Sequence, residues 1–208
     1  MTPGPVIIID YGMGNLASIQ NMFKSLGVDA SITSDPELIR QARKLVLAGV
    51  GAFDTGMSNL RRQGLAEALN DKVIREKTPI LGICLGMQLF TRSSEEGKAP
   101  GLGWLEARTV RFVPQVGQAS LKIPHMGWNG VHPLKPGWLF EGLPDDARFY
   151  FAHSYHVVCD DPSVALSTTQ YGYDFLSAVE AGNVYGVQFH PEKSHSYGKI
   201  LFQNFARG

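Results

Sequence analysis

Cys84 lies in the stretch "ILGICLGMQLF", from Ile80 to Phe90, with Gly82 and Gly86 two residues away on either side. The apolar run before it reads as a buried strand and the residues after it as the start of a helix, so the thiol falls at a strand-to-helix junction. Gly-x-Cys-x-Gly has the form of a nucleophile elbow with sulfur in place of oxygen: the turn is sharp, the nucleophile's backbone is strained, and glycine on both sides removes side chains that would collide with the neighbouring strand and helix. A helix N-terminus lowers a thiol's pKa and favours the thiolate. The competing reading is a small buried hydrophobe, which is what a free cysteine in an apolar run usually is. A nucleophile also needs a base and a group to orient the base. His190-Pro191-Glu192 ends the apolar run "YGVQF", which would put the imidazole at a strand end with a carboxylate able to bend back to its far ring nitrogen, as in a Ser-His-Asp triad. Taken alone, that triplet is equally a surface turn.

Two strand ends can bring these groups together only if the strands are neighbours in a parallel sheet, whose strands all end on one edge. The pattern supports such a sheet. "VIIID" (Val6 to Asp10), "KLVLAG" and "PILGIC" are buried-type strands. Between them, Leu16, Ile19, Phe23 and Leu26 recur at helical spacing with Gly27 placed to stop the helix, and Met57 to Val73 is helical. After Gly101 the texture becomes strand-like pieces, "ARTVRFV", "RFYFAHSY" and "FLSAVE", which indicates an added small antiparallel part. "NVYGVQF" is a further strand, and Tyr197 to Phe205 a final helix. The Gly- and Pro-richer stretch from Gly97 to Pro144, which holds His125 and His132, reads as loops over one face. His153 and His156 flank a strand end, and His195 follows the last strand. The expected class is α/β, a mostly parallel central sheet flanked by helices, in a single domain over residues 1–208.

Composition excludes several classes. With 19 basic and 19 acidic residues there is no net charge to attract nucleic acid or an anionic membrane. Two cysteines cannot form a disulfide framework, which indicates a reducing compartment. The N-terminal apolar run is too short for a signal peptide or a membrane span, so a cytoplasmic protein is expected.

Gly12-Met13-Gly14-Asn15-Leu16-Ala17 follows the first strand and fits a dinucleotide-binding fingerprint, with Asp35 near the position of a ribose-binding acid. That strand ends in the polar pair Asp10-Tyr11, and nothing downstream resembles a hydride-transfer site. Two other readings stand beside it: a turn that only enters the first helix, and a contact loop for substrate or partner. No cofactor and no metal are expected.

"GICLGMQ" followed about a hundred residues later by "GVQFHPEKS" resembles the class I (triad) glutamine amidotransferases over almost the whole chain. "IDYGMGN", "GVGAF" (Gly49 to Phe53), "PHMGWN" (Pro124 to Asn129), "FAHSY" (Phe151 to Tyr155) and "HPEKS" (His190 to Ser194) are similar to a histidine-biosynthetic branch of that family. The resemblance implies Cys84, His190 and Glu192 as a catalytic triad that releases ammonia from glutamine. It implies an oxyanion hole from the backbone N–H groups of Leu85 and of Val50 or Gly51, and glutamine contacts from Gln88 and the His153-Ser154-Tyr155 segment; Gln88 could otherwise be an exposed helix residue. It further implies a (β/α)8-barrel cyclase partner in a 1:1 heterodimer, with Asn15, Trp128, Tyr150 and Lys193 at or near the interface. One departure is Ala48, where the family usually has proline before Gly-Val-Gly.

Overall fold

The computed structural model describes residues 5–114 and 121–208. The N-terminal reading in its first four residues, and the part of the Gly97 to Pro144 stretch at 115–120, lie outside the described residues. In chain order the elements begin β1 (Val6–Ile9), α1 (Leu16–Ser25), β2 (Ala30–Thr33), α2 (Pro36–Arg40) and β3 (Lys44–Gly49). There follow α3 (Phe53–Arg62), α4 (Leu65–Asn70), β4 (Ile80–Cys84) and α5 (Leu85–Leu89). The second half holds β5 (Ser93–Ser94), β6 (Ala107–Arg111), β7 (His125–Gly130), β8 (His132–Pro133), β9 (Arg148–His153), β10 (Tyr155–Cys159), β11 (Ala165–Tyr171), β12 (Tyr173–Ala181), β13 (Val184–Val187) and α6 (His195–Arg207).

The strands β2-β1-β3-β4-β13 are all parallel, in that order. The sheet continues antiparallel through β12, β10 and β6, with β11 and β8 branching from β12, while β7 and β9 form a separate two-stranded antiparallel sheet. The expected α/β architecture with an antiparallel addition is therefore present. The loop reading of Gly97 to Pro144 needs correction, because "HMGWNG" forms β7 and His132 lies in β8. Two glycines and no β-branched side chain give β7 a poor strand signature; its pairing with β9, not its propensity, makes it a strand.

Alternation along the parallel strands sorts the core into two layers. Val6 and Ile8 of β1, Val46 of β3, and Leu81 and Ile83 of β4 face α1 and α6, where Leu16, Phe23, Leu201, Phe202 and Phe205 meet them. Ile7, Ile9 and Tyr11, with Leu45 and Leu47, face Phe53, Met57 and Leu60 of α3, Leu65 and Leu69 of α4, and Leu85 and Met87 of α5. The C-terminus of α6 is tied to the sheet by Lys44, whose Nζ donates to the carbonyls of Phe205 and Ala206 at 2.8 Å each.

The approach of α5 to the sheet depends on two missing side chains. A Cβ on Gly86 would lie 1.7 Å from the Leu47 carbonyl oxygen, and one on Gly82 would lie 2.4 Å from the Phe90 ring and 2.7 Å from the Met87 backbone nitrogen. Both are clashes with backbone or a packed ring, so the elbow cannot close around any larger residue. Gly86→Ala is therefore expected to lower unfolding stability by about 3 kcal/mol, the upper end of the usual overpacking range, because the clash is with backbone that cannot move aside. Gly64→Ala is the control: Gly64 has φ +69° and open space around it, and the change costs only the left-handed strain of about 1–2 kcal/mol. Urea unfolding midpoints of the two variants test the difference.

Candidate active site

Cys84 closes β4 and precedes the first residue of α5, with φ 53° and ψ −108°. Among the described residues only Lys77 and His195 share a positive φ without being glycine. Such backbone is strained and persists only where the surroundings over-determine it. Here they do: Gly49 of β3 lies opposite Cys84 on one side, and Val187 of β13 opposite Ile83 on the other. The elbow expected from the glycine spacing is thus the structure found, and the thiol is 5% exposed at the floor of a cavity.

The β13–β4 pairing brings the two sequence motifs together. Gln188, one residue beyond β13, points its Nε2 at Cys84 Sγ at 3.6 Å, and His190 follows two residues later. The His190 backbone N–H donates to the Tyr150 carbonyl at 2.8 Å, and Ser194 Oγ donates to the His190 carbonyl at 2.6 Å, which holds the turn from both ends. A Cβ on Gly198 would lie 1.8 Å from the Pro191 carbonyl oxygen, so α6 can back this turn only with glycine there. His190 Nδ1 meets Glu192 Oε1 at 2.8 Å, with both side chains almost fully buried. A carboxylate accepts only, so Nδ1 carries the proton and Nε2 is the free position. Burial opposes the charged imidazole most strongly, yet the Cys84 sulfur and the Glu192 carboxylate together outweigh it and push the His190 pKa up to about 10. His190 Nε2 has no protein partner at hydrogen-bonding geometry, so the influence of Cys84 is that of a nearby sulfur and not of a formed bond.

The cavity above Cys84 has a volume of about 380 Å³, in the range of small-molecule sites. Its lining includes Val50, Gly51, Leu85, Gln88, His153, Ser154 and Tyr155, all expected from the sequence. Gln88 is buried, not an exposed helix residue: its Nε2 donates to the Tyr155 carbonyl at 3.1 Å and to Gln188 Oε1 at 3.2 Å. Gly51 has φ +123°, a conformation left to glycine. Three residues escaped the sequence reading. Glu96, the carboxylate on the cavity wall, accepts the Phe53 N–H at 2.8 Å through Oε2. Gln188 and Gly198 have no local signature, because their roles arise from pairing and packing between distant segments.

His153 reaches the cavity from the end of a relay. His153 Nδ1 donates to the Tyr155 carbonyl at 2.7 Å, so its Nε2 accepts from His125 Nδ1 at 3.2 Å, and His125 Nε2 in turn accepts from Asn129 Nδ2 at 3.3 Å. Only neutral rings satisfy this order. Burial pushes the His125 pKa down to about 4 and, helped by the neighbouring histidines, that of His153 down to about 3. The same small sheet carries an outward face: Trp128 lies opposite Tyr150 across β7 and β9, His195 stacks on Trp128 at 5.3 Å, and Lys193 Nζ lies 5.5 Å from the Tyr150 ring centroid. Trp128, Tyr150 and Lys193 lie side by side on this face, and Asn15 is exposed in the turn before α1.

The dinucleotide reading of that turn has a structural alternative. Gly12 and Gly14 have φ of +81° and +86°, and a Cβ on Gly14 would lie 3.1 Å from the Gly49 Cα, so the glycines serve the turn and its seat on β3. Asp35 caps α2 by accepting the Glu37 N–H at 2.9 Å. Among the described residues there is no group of three or more His, Cys, Asp or Glu placed to hold a metal, and no helix long and apolar enough to cross a membrane.

The family profile described as "Glutamine amidotransferase class-I" matches residues 7–207. The chain is 55% identical to imidazole glycerol phosphate synthase subunit HisH 2 of Methanococcus maripaludis, covering 97% of this chain and 98% of the relative. It is 47% identical to the subunit HisH 2 of Pseudomonas aeruginosa, covering 96% and 98%. Among solved structures, PurLQS from Thermotoga maritima superposes with TM-score 0.72 at 19% identity over 99% of this chain and 98% of that one. A glutamine amidotransferase from Thermotoga maritima gives TM-score 0.65 at 19% identity over 98% and 82%.

The opposed histidine shifts predict a pH profile. His125 and His153 bind protons less readily folded than unfolded, where the pKa is about 6.5, so stability is lost as pH falls from about 6.5 towards 4 and 3. His190 has the opposite sign: its contribution is complete below about 6.5 and is lost as pH rises through about 10. Thermal unfolding midpoints should drop between pH 7 and pH 4.5, and His125→Asn should flatten that drop by removing one of the acid-sensitive rings, which include His156, whose pKa burial also lowers.

Proposed function

Because this chain belongs to the class I glutamine amidotransferases, we propose that it is the glutaminase subunit of an imidazole glycerol phosphate synthase, with Cys84, His190 and Glu192 as its catalytic residues. It hydrolyses L-glutamine to glutamate and ammonia for histidine biosynthesis. The observation that carries the assignment of roles is the strained thiol at the cavity floor, with a buried imidazole–carboxylate pair in the turn just beyond the adjacent strand.

The chemistry follows from the positions. The Cys84 thiolate attacks the carbon of the glutamine side-chain amide, and the oxygen that gains charge is met by the Leu85 N–H and by that of Val50 or Gly51. The His190 imidazolium gives its proton to the departing nitrogen, so ammonia leaves and a glutamyl thioester remains. His190, now neutral, takes a proton from water as it attacks the thioester; glutamate is released and the thiol is restored. Glu192 holds Nδ1–H throughout, which keeps Nε2 as the working nitrogen. Gln88 and the His153-Ser154-Tyr155 segment shape the glutamine pocket, and Glu96 supplies the negative charge that an α-ammonium group requires.

Ammonia in neutral water is mostly protonated and no longer a nucleophile, so a glutaminase that feeds a synthase must pass it on dry. The partner in this reading is a (β/α)8-barrel cyclase in a 1:1 heterodimer. It joins the ammonia to a phosphoribulosyl-formimino intermediate, giving imidazole glycerol phosphate and aminoimidazole carboxamide ribotide. Exposed apolar side chains support a docking face beside the cavity: Val50 at 47%, Met126 at 65% and Trp128 at 40%, with Lys193 near Tyr150. Asn15 in its exposed turn belongs to the same proposed interface. The chain acts as one domain, in the cytoplasm, with no cofactor of its own.

Cys84→Ser is expected to lower glutamate release by several orders of magnitude, with Cys159→Ser near wild type. Burial and the neighbouring Asp160 and Asp161 carboxylates push the Cys159 thiol up to about 11, which leaves it a poor nucleophile. Equal losses from the two substitutions would overturn the assignment.

Gating by the partner is the second expectation. Gly49-Val50-Gly51 can undergo a peptide flip that moves an N–H into or out of the oxyanion hole, and one such donor is worth about 10²–10³ in rate. Assembly with the ligand-loaded cyclase should raise turnover by at least that order. Ala48 lacks proline's fixed φ, so the free chain should release more glutamate than its Ala48→Pro variant. Glutamate assays on both, free and assembled, decide this, and equal rates for the free and assembled wild type would end the gating idea.

A further inference from the structure

Tyr11 is a large side chain at the site to which the mechanism above gives no task. It is fully buried, and its hydroxyl has no hydrogen-bond partner among the described residues. Burial and the nearby Cys84 raise its pKa, so the group is a proton donor and never a base. Its place is unusual: a Cβ on Gly49 would lie 2.0 Å from the hydroxyl oxygen and 3.2 Å from Leu85 Cδ2. The hydroxyl therefore occupies the space beside Gly49 Cα that any side chain there would fill. It stands immediately before the Gly49–Val50 peptide.

Direction decides what that hydroxyl can do. Across a trans peptide plane, the carbonyl of one residue and the N–H of the next point opposite ways. Val50, Cys84 and Leu85 line the cavity, whereas Tyr11 does not and is packed in the layer of Leu47, Phe53 and Met57 behind it. The orientation that aims Val50 N–H into the cavity consequently turns the Gly49 carbonyl away from it, towards Tyr11. In the present structure the hydroxyl finds no such acceptor. A buried donor left without an acceptor is costly, and a turn of the peptide that supplies one is favoured.

We propose that Tyr11 is a positioning residue of the oxyanion strand: its hydroxyl donates to the Gly49 carbonyl when the Gly49–Val50 peptide has turned, and so holds Val50 N–H on the substrate oxygen. This deepens the glutaminase reading above and rests on it. The Gly49 position is then restricted twice, by the freedom the turn requires and by the room the hydroxyl occupies.

The test is Tyr11→Phe, which removes one oxygen from a buried ring. Glutamine kinetics are measured for wild type and variant, each isolated and each in complex with the cyclase loaded with its phosphoribulosyl-formimino intermediate, alongside thermal unfolding of the isolated chains. The ratio of assembled to isolated kcat should fall about tenfold, as expected for one lost hydrogen bond in the stimulated state, with the glutamine KM of the complex within twofold of wild type. The unfolding midpoint should hold or rise, because the lost hydroxyl had no partner in the isolated chain. An unchanged ratio overturns the proposal. So does a lowered midpoint with both rates reduced together, the signature of a packing role. A wild-type chain that releases no glutamate, alone or assembled, removes the glutaminase reading itself and this proposal with it, an outcome distinct from a stimulated wild type whose Tyr11→Phe variant is stimulated equally.

Discussion

Because β13 pairs with β4 in parallel, with Val187 opposite Ile83, the residues that follow both strands emerge side by side on one edge of the sheet. Every other feature of the site is a consequence of that juxtaposition. On the β4 side the chain must reverse at once into α5, which forces Cys84 to a positive φ and demands glycine at 82 and 86. On the β13 side it runs on through Gln188 to His190, where the Tyr150 carbonyl and Ser194 catch it. Cys84 and His190 thus come from segments about a hundred residues apart, brought close by backbone pairing and not by a hydrogen bond of their own. A shift of one residue in the pairing would turn the Val187 side chain to the opposite layer and carry His190 away from the thiol.

How much of this could be read beforehand depends on whether the cause is local. The elbow was legible because its steric demand is written in two glycines at fixed spacing, and the clashes at Gly82 and Gly86 are the ones that spacing implies. The imidazole–carboxylate pair was legible because Pro191 alone separates the two residues and sets the turn between them. β7 was not, since "HMGWNG" has little intrinsic strand preference and is a strand only because β9 lies beside it. Gln88 shows the same limit in a side chain. Its position in the helix was clear, but its burial depends on β10 and on Gln188, which sequence spacing does not place.

The histidines show how environment, not residue type, sets chemistry. His153 and His190 flank the Tyr150 region and are both buried, yet one is pushed down to about 3 and the other up to about 10. What separates them is the company each keeps. His153 has a carbonyl and a second imidazole, which fix it as a neutral link; His190 has a carboxylate on one side and the thiol on the other, which favour the cation. Groups whose environments drive their pKa values apart are candidates to divide acid–base work, and here the division holds His153 neutral and favours the charged form of His190.

The unpaired polar atoms point to the same place. Four buried side-chain atoms lack a partner among the described residues, and three of them, Tyr11 Oη, His190 Nε2 and Glu192 Oε2, belong to this site and its immediate backing. The fourth, Gln63 Oε1, stands apart from it, and buried groups such as the relay from Asn129 to Tyr155 are paired. Unsatisfied donors and acceptors oppose folding, so their concentration in one region of an otherwise well-paired core marks where local rules give way to function. An Nε2 with no protein partner beside the Cys84 sulfur is placed to exchange a proton with whatever enters the cavity, and the Tyr11 hydroxyl is the donor on which the proposal above rests.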